Sequence, residues 1–227
     1  MMISPETFYD MELAGKSIGD IKKVIDDLKQ EMKHLVHIME SPDYRPMMRP
    51  DESTRLSCNR EYLAKAIEAL KAKGGRYELT KEEQKAAEFD ENIPYIQKIV
   101  YATNSFFGDN NTYTMDLSEE APLLKIKLWG FEEEERDNRP IEDRPDKQEF
   151  LQALSSLHMG EWQNQYDPHR FGYAVCDGTQ WELQVFYSNG KEPLTIEGDN
   201  VWPHNFQDFV QLMGIEYYEG ELDDEEW

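Results

Sequence analysis

Few residues in this chain have types and spacings that could do chemistry. Among 227 residues there are five histidines and two cysteines. His34 and His37 stand three apart, so on a helix their imidazoles could reach one metal, yet nothing nearby completes a ligand set at the usual zinc spacing. His169, in Asp167-Pro-His-Arg170, precedes Cys176 by seven residues. A chain that turns back between them could pair thiol with imidazole, the nucleophile and base of a small intracellular hydrolase. Cys176 also fits an apolar strand pattern, which would make it a buried, inert thiol, and both readings stay open. His204 follows Pro203 at an expected helix start, where a neutral imidazole suits the positive end of the dipole. There is no Gly-rich phosphate loop, no serine elbow and no carboxylate pair at a recognisable spacing. The expectation is therefore no catalytic residue, no metal and no cofactor.

Carboxylates, in contrast, are abundant. The net charge is −23, from 24 basic and 47 acidic residues, and it is unevenly placed. Residues 16–75 hold 12 basic and 10 acidic residues, whereas residues 76–227 hold 12 basic and 34 acidic. Direct binding to nucleic acid or to an acidic membrane surface is disfavoured, because both draw on clustered Lys and Arg. Two runs are densest: the segment from Phe131 to Asp146, with Glu132, Glu133, Glu134 and Glu135, and the tail Glu216 to Trp227, with Asp223, Asp224, Glu225 and Glu226. A solvated loop and a frayed end account for such runs in most chains. The sharper expectation is that these residues, with Trp202 at a turn between them, contact a basic, nucleic-acid-binding partner protein as a decoy for phosphate. The tail's 12 residues, extended, span about 40 Å, so its seven carboxylates fall about one per 6 Å against one phosphate per ~3.4 Å of a DNA strand. On its own it is a dilute mimic that needs help from the rest of the acidic surface.

The elements that must position these residues begin with a helix. Ile18, Ile21, Ile25, Leu28, Met32, Leu35 and Met39 recur at spacings of three and four, and Ser17 can cap the start. Three prolines between Ser41 and Glu52 end it; Ser53 or Thr54 can cap a second helix through Leu56, Leu63 and Leu70, closed by Gly74-Gly75. The two should form an antiparallel helical hairpin, or a homodimer through the seam from Ile18 to Met39. Thr80-Lys-Glu-Glu83 fits a capping box for a short third helix.

A β region follows, with strands expected at 96–103, 112–117 and 123–129, then a helix over 147–159. After a short strand near Tyr173 to Cys176 comes the plainest pattern in the chain. Trp181, Leu183, Val185 and Tyr187 alternate with polar residues; Asn189-Gly190 suits a type I′ turn; and a return strand from Pro193 stops at Gly198-Asp199-Asn200. Pro203 fits the first turn of a helix with Phe206, Phe209, Val210 and Met213 on one side and Gly214 as its stop. Residues 96–159 and 171–214 each read as three strands and a helix, a weak internal duplication. The fold class is thus α+β: a helical hairpin with a short helix over 1–92, an acidic, antiparallel sheet module with packed helices over 93–215, and an acidic tail over 216–227.

MISPETFYDMELAGKS with the hairpin through SCNREYLAKAIEAL, and FGYAVCDGTQWELQVFYSNGKEP with GDNVWPHNF, resemble an uncharacterised protein family of intestinal anaerobic bacteria and their mobile elements. The resemblance brings no catalytic residues. Its link to mobile elements implies a host-defence inhibitor of the anti-CRISPR kind. The N-terminal residues have no signal-peptide pattern and no segment has membrane-span length, so a cytoplasmic protein is expected.

Overall fold

The computed structural model describes residues 3–46, 49–105, 110–128, 131–132, 134–135, 144–173 and 178–215. The chain divides into two compact units, Met1–Thr80 and Lys81–Trp227. The first holds 13 basic and 14 acidic residues and the second 11 and 33, which gives net charges of −1 and −22.

In the first unit, Ser4 caps α1 (Pro5–Phe8), which runs into a π-helical turn, Tyr9–Leu13. The hairpin is α2 (Ile18–Met39) and α3 (Glu52–Ala72). Ser17 and Asp20 close a capping box at the start of α2, as the sequence led us to expect for Ser17. The cap of α3 is Asp51 rather than Ser53 or Thr54. Its carboxylate accepts the Thr54 N–H at 2.8 Å and the Ser53 hydroxyl at 3.1 Å, and so starts the helix two or three residues earlier. Ile21 and Ile25 from the start of α2 pack with Tyr62, Ala66 and Leu70 from the end of α3, while Leu35 and Met39 pack with Leu56. That pairing of start with end makes the helices antiparallel. The α2 seam is thereby covered within one chain, apart from Ile18, which is 39% exposed.

The second unit begins with α4 (Lys81–Asn92), followed by β1 (Ile96–Ser105), β2 (Asn111–Asp116), β3 (Leu123–Lys127), β4 (Glu134–Glu135), α5 (Lys147–Ser156), β5 (Gln165–Tyr166), β6 (Thr179–Tyr187), β7 (Leu194–Asp199) and α6 (Phe206–Met213). The strands form one sheet in the order β4-β3-β2-β1-β6-β7-β5, antiparallel except for the β5–β7 pair. Because side chains alternate along each strand, Ile99, Tyr101, Met115, Leu124, Trp181, Leu183, Val185 and Ile196 share one face, and onto it pack Phe89, Phe150, Leu154, Phe206, Phe209 and Met213 from α4, α5 and α6. Phe206 is the hub, with the rings of Tyr101, Trp181 and Phe209 at 5.3, 5.2 and 5.6 Å.

Several expectations shift. The unit boundary expected after residue 92 lies between Thr80 and Lys81, because Phe89 of α4 and Ile93 after it belong to the sheet's core. The acidic segment is not wholly loop: Glu134–Glu135 pairs with Lys125 and Ile126 of β3 as a short terminal strand of the sheet. The Asn189-Gly190 corner is not type I′, since Gly190 has φ 81° but Asn189 is not among the residues with positive φ. The hairpin stops pairing at Val185–Leu194: Ser188 N–H turns away to Tyr95 O, and Pro193 has no N–H to give. The return strand continues through Gly198 and Asp199, and the break comes at Asn200, whose φ is 53°. Pro203 precedes α6 rather than lying in its first turn. Asn205 at the cap position is engaged elsewhere, accepting the Trp162 indole N–H at 3.0 Å and donating to Leu157 O at 2.7 Å. The strand expected near Tyr173 to Cys176, which would open the second copy of the duplication, lies outside the described residues but for Tyr173; beside β7 lies β5, an earlier and parallel strand.

Candidate functional site

Among the described residues, the histidines first weighed for chemistry build no metal site. His34 and His37 are exposed on α2, His204 is half-buried, and His169 lies exposed in the turn after Asp167. Cys176 lies outside the described residues, so the His169–Cys176 pair has no geometry to report. Cys58 is half-buried on α3, packed against the hairpin core. Among the described residues no three His, Cys, Asp or Glu stand close enough to hold a metal ion. No helix among them is long and apolar enough to cross a membrane.

Of the expected partner-binding residues, four lie among the described residues. Glu132 is exposed, Glu134 and Glu135 form β4, and Glu133, Asp223, Asp224, Glu225 and Glu226 lie outside the described residues. Trp202 packs partly buried against the sheet core, with an indole N–H that meets no acceptor among the described residues.

What the fold does gather is a group of carboxylates that position along the chain alone did not single out. The face of the sheet opposite the helices carries the outward side chains of each strand. In register across it stand Lys127, Thr112, Ala102, Glu182, Glu197 and Gln165. The next row outward on the same side has Asn104, Gln180 and Asp199. Between these strands and the Asp167–His169 turn lies an open groove of about 610 Å³. Its floor is low at Ala102, whose side chain is small; Gly198, opposite Trp181, makes room on the inner face, where a Cβ would overlap the indole ring.

Glu182 and Glu197 are direct cross-strand partners, and like charges in that position repel. The side chains that hold them are neutral. Gln184 Nε2 donates to Glu182, and Gln165 Nε2 donates to Glu197 at 2.8 Å. Asp199 accepts from the Asn200 amide and Asp167 from the His169 backbone N–H at 2.8 Å. These amides orient the carboxylates and leave their charge in place. On β1–β3 the same face carries three lysines: Lys127 in the row with Ala102, Lys98 at 4.2 Å from the centre of the Phe186 ring, and Lys125, which meets Asp116 at 3.2 Å. Two hydrogen bonds from Ser118 and this lysine hold the Asp116 carboxyl below the usual aspartate range, the hydrogen bonds being the larger cause.

A signal for this patch was present in the chain. Taking Asn189-Gly190 as the centre of the hairpin gives the register that places Glu182 opposite Glu197, even though the turn itself is of another type. Gln165 carries no such signal, since β5 is two residues long and joins from a distant segment. Compared with protein-family models, curated proteins and solved structures, the chain matches none.

Proposed function

We propose that the chain is a non-enzymatic cytoplasmic interaction protein whose acidic sheet unit occupies a basic, nucleic-acid-binding surface of a partner protein. One observation carries this reading: nearly all of the net charge sits in Lys81–Trp227, −22 of −23. Evolving a folded unit with that much self-repulsion needs a use for the field, and an acidic surface attracts basic partners at long range and speeds their encounter. The same field repels phosphate, so the chain competes with nucleic acid for the partner rather than binding it. Given the family resemblance, the most specific form of the proposal is an inhibitor of the anti-CRISPR kind.

The test is a competition. Proteins captured by the tagged chain from its source cell at low salt are assayed for nucleic-acid binding with and without the chain. The expected partner is basic, is released as salt is raised, and loses its nucleic acid when the chain is added. A partner whose nucleic-acid binding is unaffected, or capture that does not change between low and high salt, would overturn the proposal.

A further inference from the structure

Among the described residues the outer face of the sheet receives no second layer from its own unit, because α4, α5 and α6 all pack on the inner face. An uncovered sheet face can be idle when its carboxylates are matched, as Asp116 on β2 is by Lys125. On β6 and β7 they are not. Glu182 and Glu197 face each other, Asp199 follows two residues along β7, and the side chains bonded to these three carboxylates are amides.

We infer that the β6–β7 half of this face is a docking surface for an arginine-bearing segment of a basic partner protein. The inference rests on the acidic-interaction reading above and gives it a location. Charge complementarity selects the occupant. A second copy of the chain would bring another unit of charge −22 to the same surface, and the chain's own acidic tail has the same sign. Geometry favours arginine over lysine. Neighbouring strands lie about 4.8 Å apart and alternate residues on one strand about 6.6 Å apart, so three carboxylates fall within the reach of one side chain. A guanidinium presents five donors in a plane and can serve two carboxylates at once, whereas an ammonium is a point charge. The groove floor, low at Ala102, leaves room for it.

Titration of the full chain with an arginine-rich peptide, by calorimetry at low and high salt, tests the inference. The comparison uses two doubly substituted chains with the same change in charge: Glu182→Gln with Glu197→Gln on the face, and Glu119→Gln with Glu120→Gln in the exposed β2–β3 connection. Glutamine at 182 and 197 removes a repulsion, so the face variant should fold. The expected result is binding about tenfold weaker for the face variant and nearly unchanged for the connection variant, as two exposed charge pairs near the top of their usual range imply. A lysine-rich peptide of equal length should bind less tightly than the arginine-rich one. Equal losses in the two variants, or none in either, overturn the docking surface while salt-sensitive binding by the unsubstituted chain leaves the acidic-interaction reading standing. Absence of binding by the unsubstituted chain overturns both. A dimer of the free protein that the face substitutions dissolve would make a second copy the occupant and overturn the inference.

Discussion

In Met1–Thr80 Arg55 meets Glu31, Lys65 meets Glu68 at 3.5 Å and Lys16 meets Glu12 at 3.2 Å, whereas in Lys81–Trp227 Glu182 faces Glu197 and the two are bonded to the amides of Gln184 and Gln165. The hairpin unit nearly balances its charges. A hydroxyl–carboxylate contact there, Tyr44 to Glu52 at 2.8 Å, engages a carboxylate that is 7% exposed. The sheet unit bonds its outward carboxylates on β6 and β7 to amides and draws cohesion from apolar packing, with a ring cluster around Phe206 and a helix pressed close to the backbone at Gly160. Structural economy explains the first arrangement. The second makes sense when the acid is there for a partner.

If the sheet unit depends on close packing, its glycines should be its weakest points. A Cβ at Gly160 would come within 2.7 Å of Ala86 Cα and 2.8 Å of Ala86 O on α4, and backbone cannot step aside as a flexible side chain can. Gly160→Ala should cost about 3 kcal/mol in denaturant unfolding, the upper end for overpacking. In the hairpin, Gly19→Ala meets only Ser17 Oγ at an ordinary 3.8 Å, and should change stability by no more than ~0.5 kcal/mol, in the favourable direction. Equal effects at the two sites would erase this distinction between the units.

The next effect belongs to the hairpin. Tyr44→Phe removes the hydroxyl that Glu52 accepts from, and should cost about 2 kcal/mol, the range for stranding a buried charged acceptor. Burial chiefly, then the hydrogen bond to Glu52 and its charge, push the Tyr44 hydroxyl up to about 12 from its ordinary 10. Because the folded value is the higher one, this contribution is fully present below pH 10 and is lost as pH rises toward 12. Stability followed across that range should fall less steeply in the Phe variant. An unchanged slope would mean that the contact contributes nothing.

The smallest effect has the opposite sign. Glu182→Gln with Glu197→Gln removes a like-charge cross-strand pair and should raise stability by about 0.5 kcal/mol in low salt, with the gain shrinking as salt screens the repulsion. A loss of stability would show that the carboxylates serve the fold, and would remove the reason for assigning them to a partner.

The elements were far more legible than the surface they build. The spacing from Ile18 to Met39 marked α2 to the residue, because that helix buries one continuous stripe against a neighbour close in sequence. The alternation of Trp181, Leu183, Val185 and Tyr187 marked the inner face of β6, since each of these residues is at most 6% exposed. What escaped was whatever depends on distant segments meeting. Nothing local announces that β1 pairs with β6 or that Gln165 arrives beside Glu197, and no composition rule says which face of a sheet stays uncovered. The densest acidic runs drew attention by their charge per residue, while the patch on β6 and β7 is assembled only when two alternating strands bring their outward residues into register.

Backbone NMR shifts of the full chain, recorded as an arginine-rich peptide is added, would decide whether the two units differ in function as they do in charge. The largest shifts should fall on Asn104, Gln180, Glu182 and Glu197, with α2 and α3 little changed. Shifts concentrated on α2 and α3, or absent from β6 and β7, would contradict the assignment of binding to the acidic sheet face.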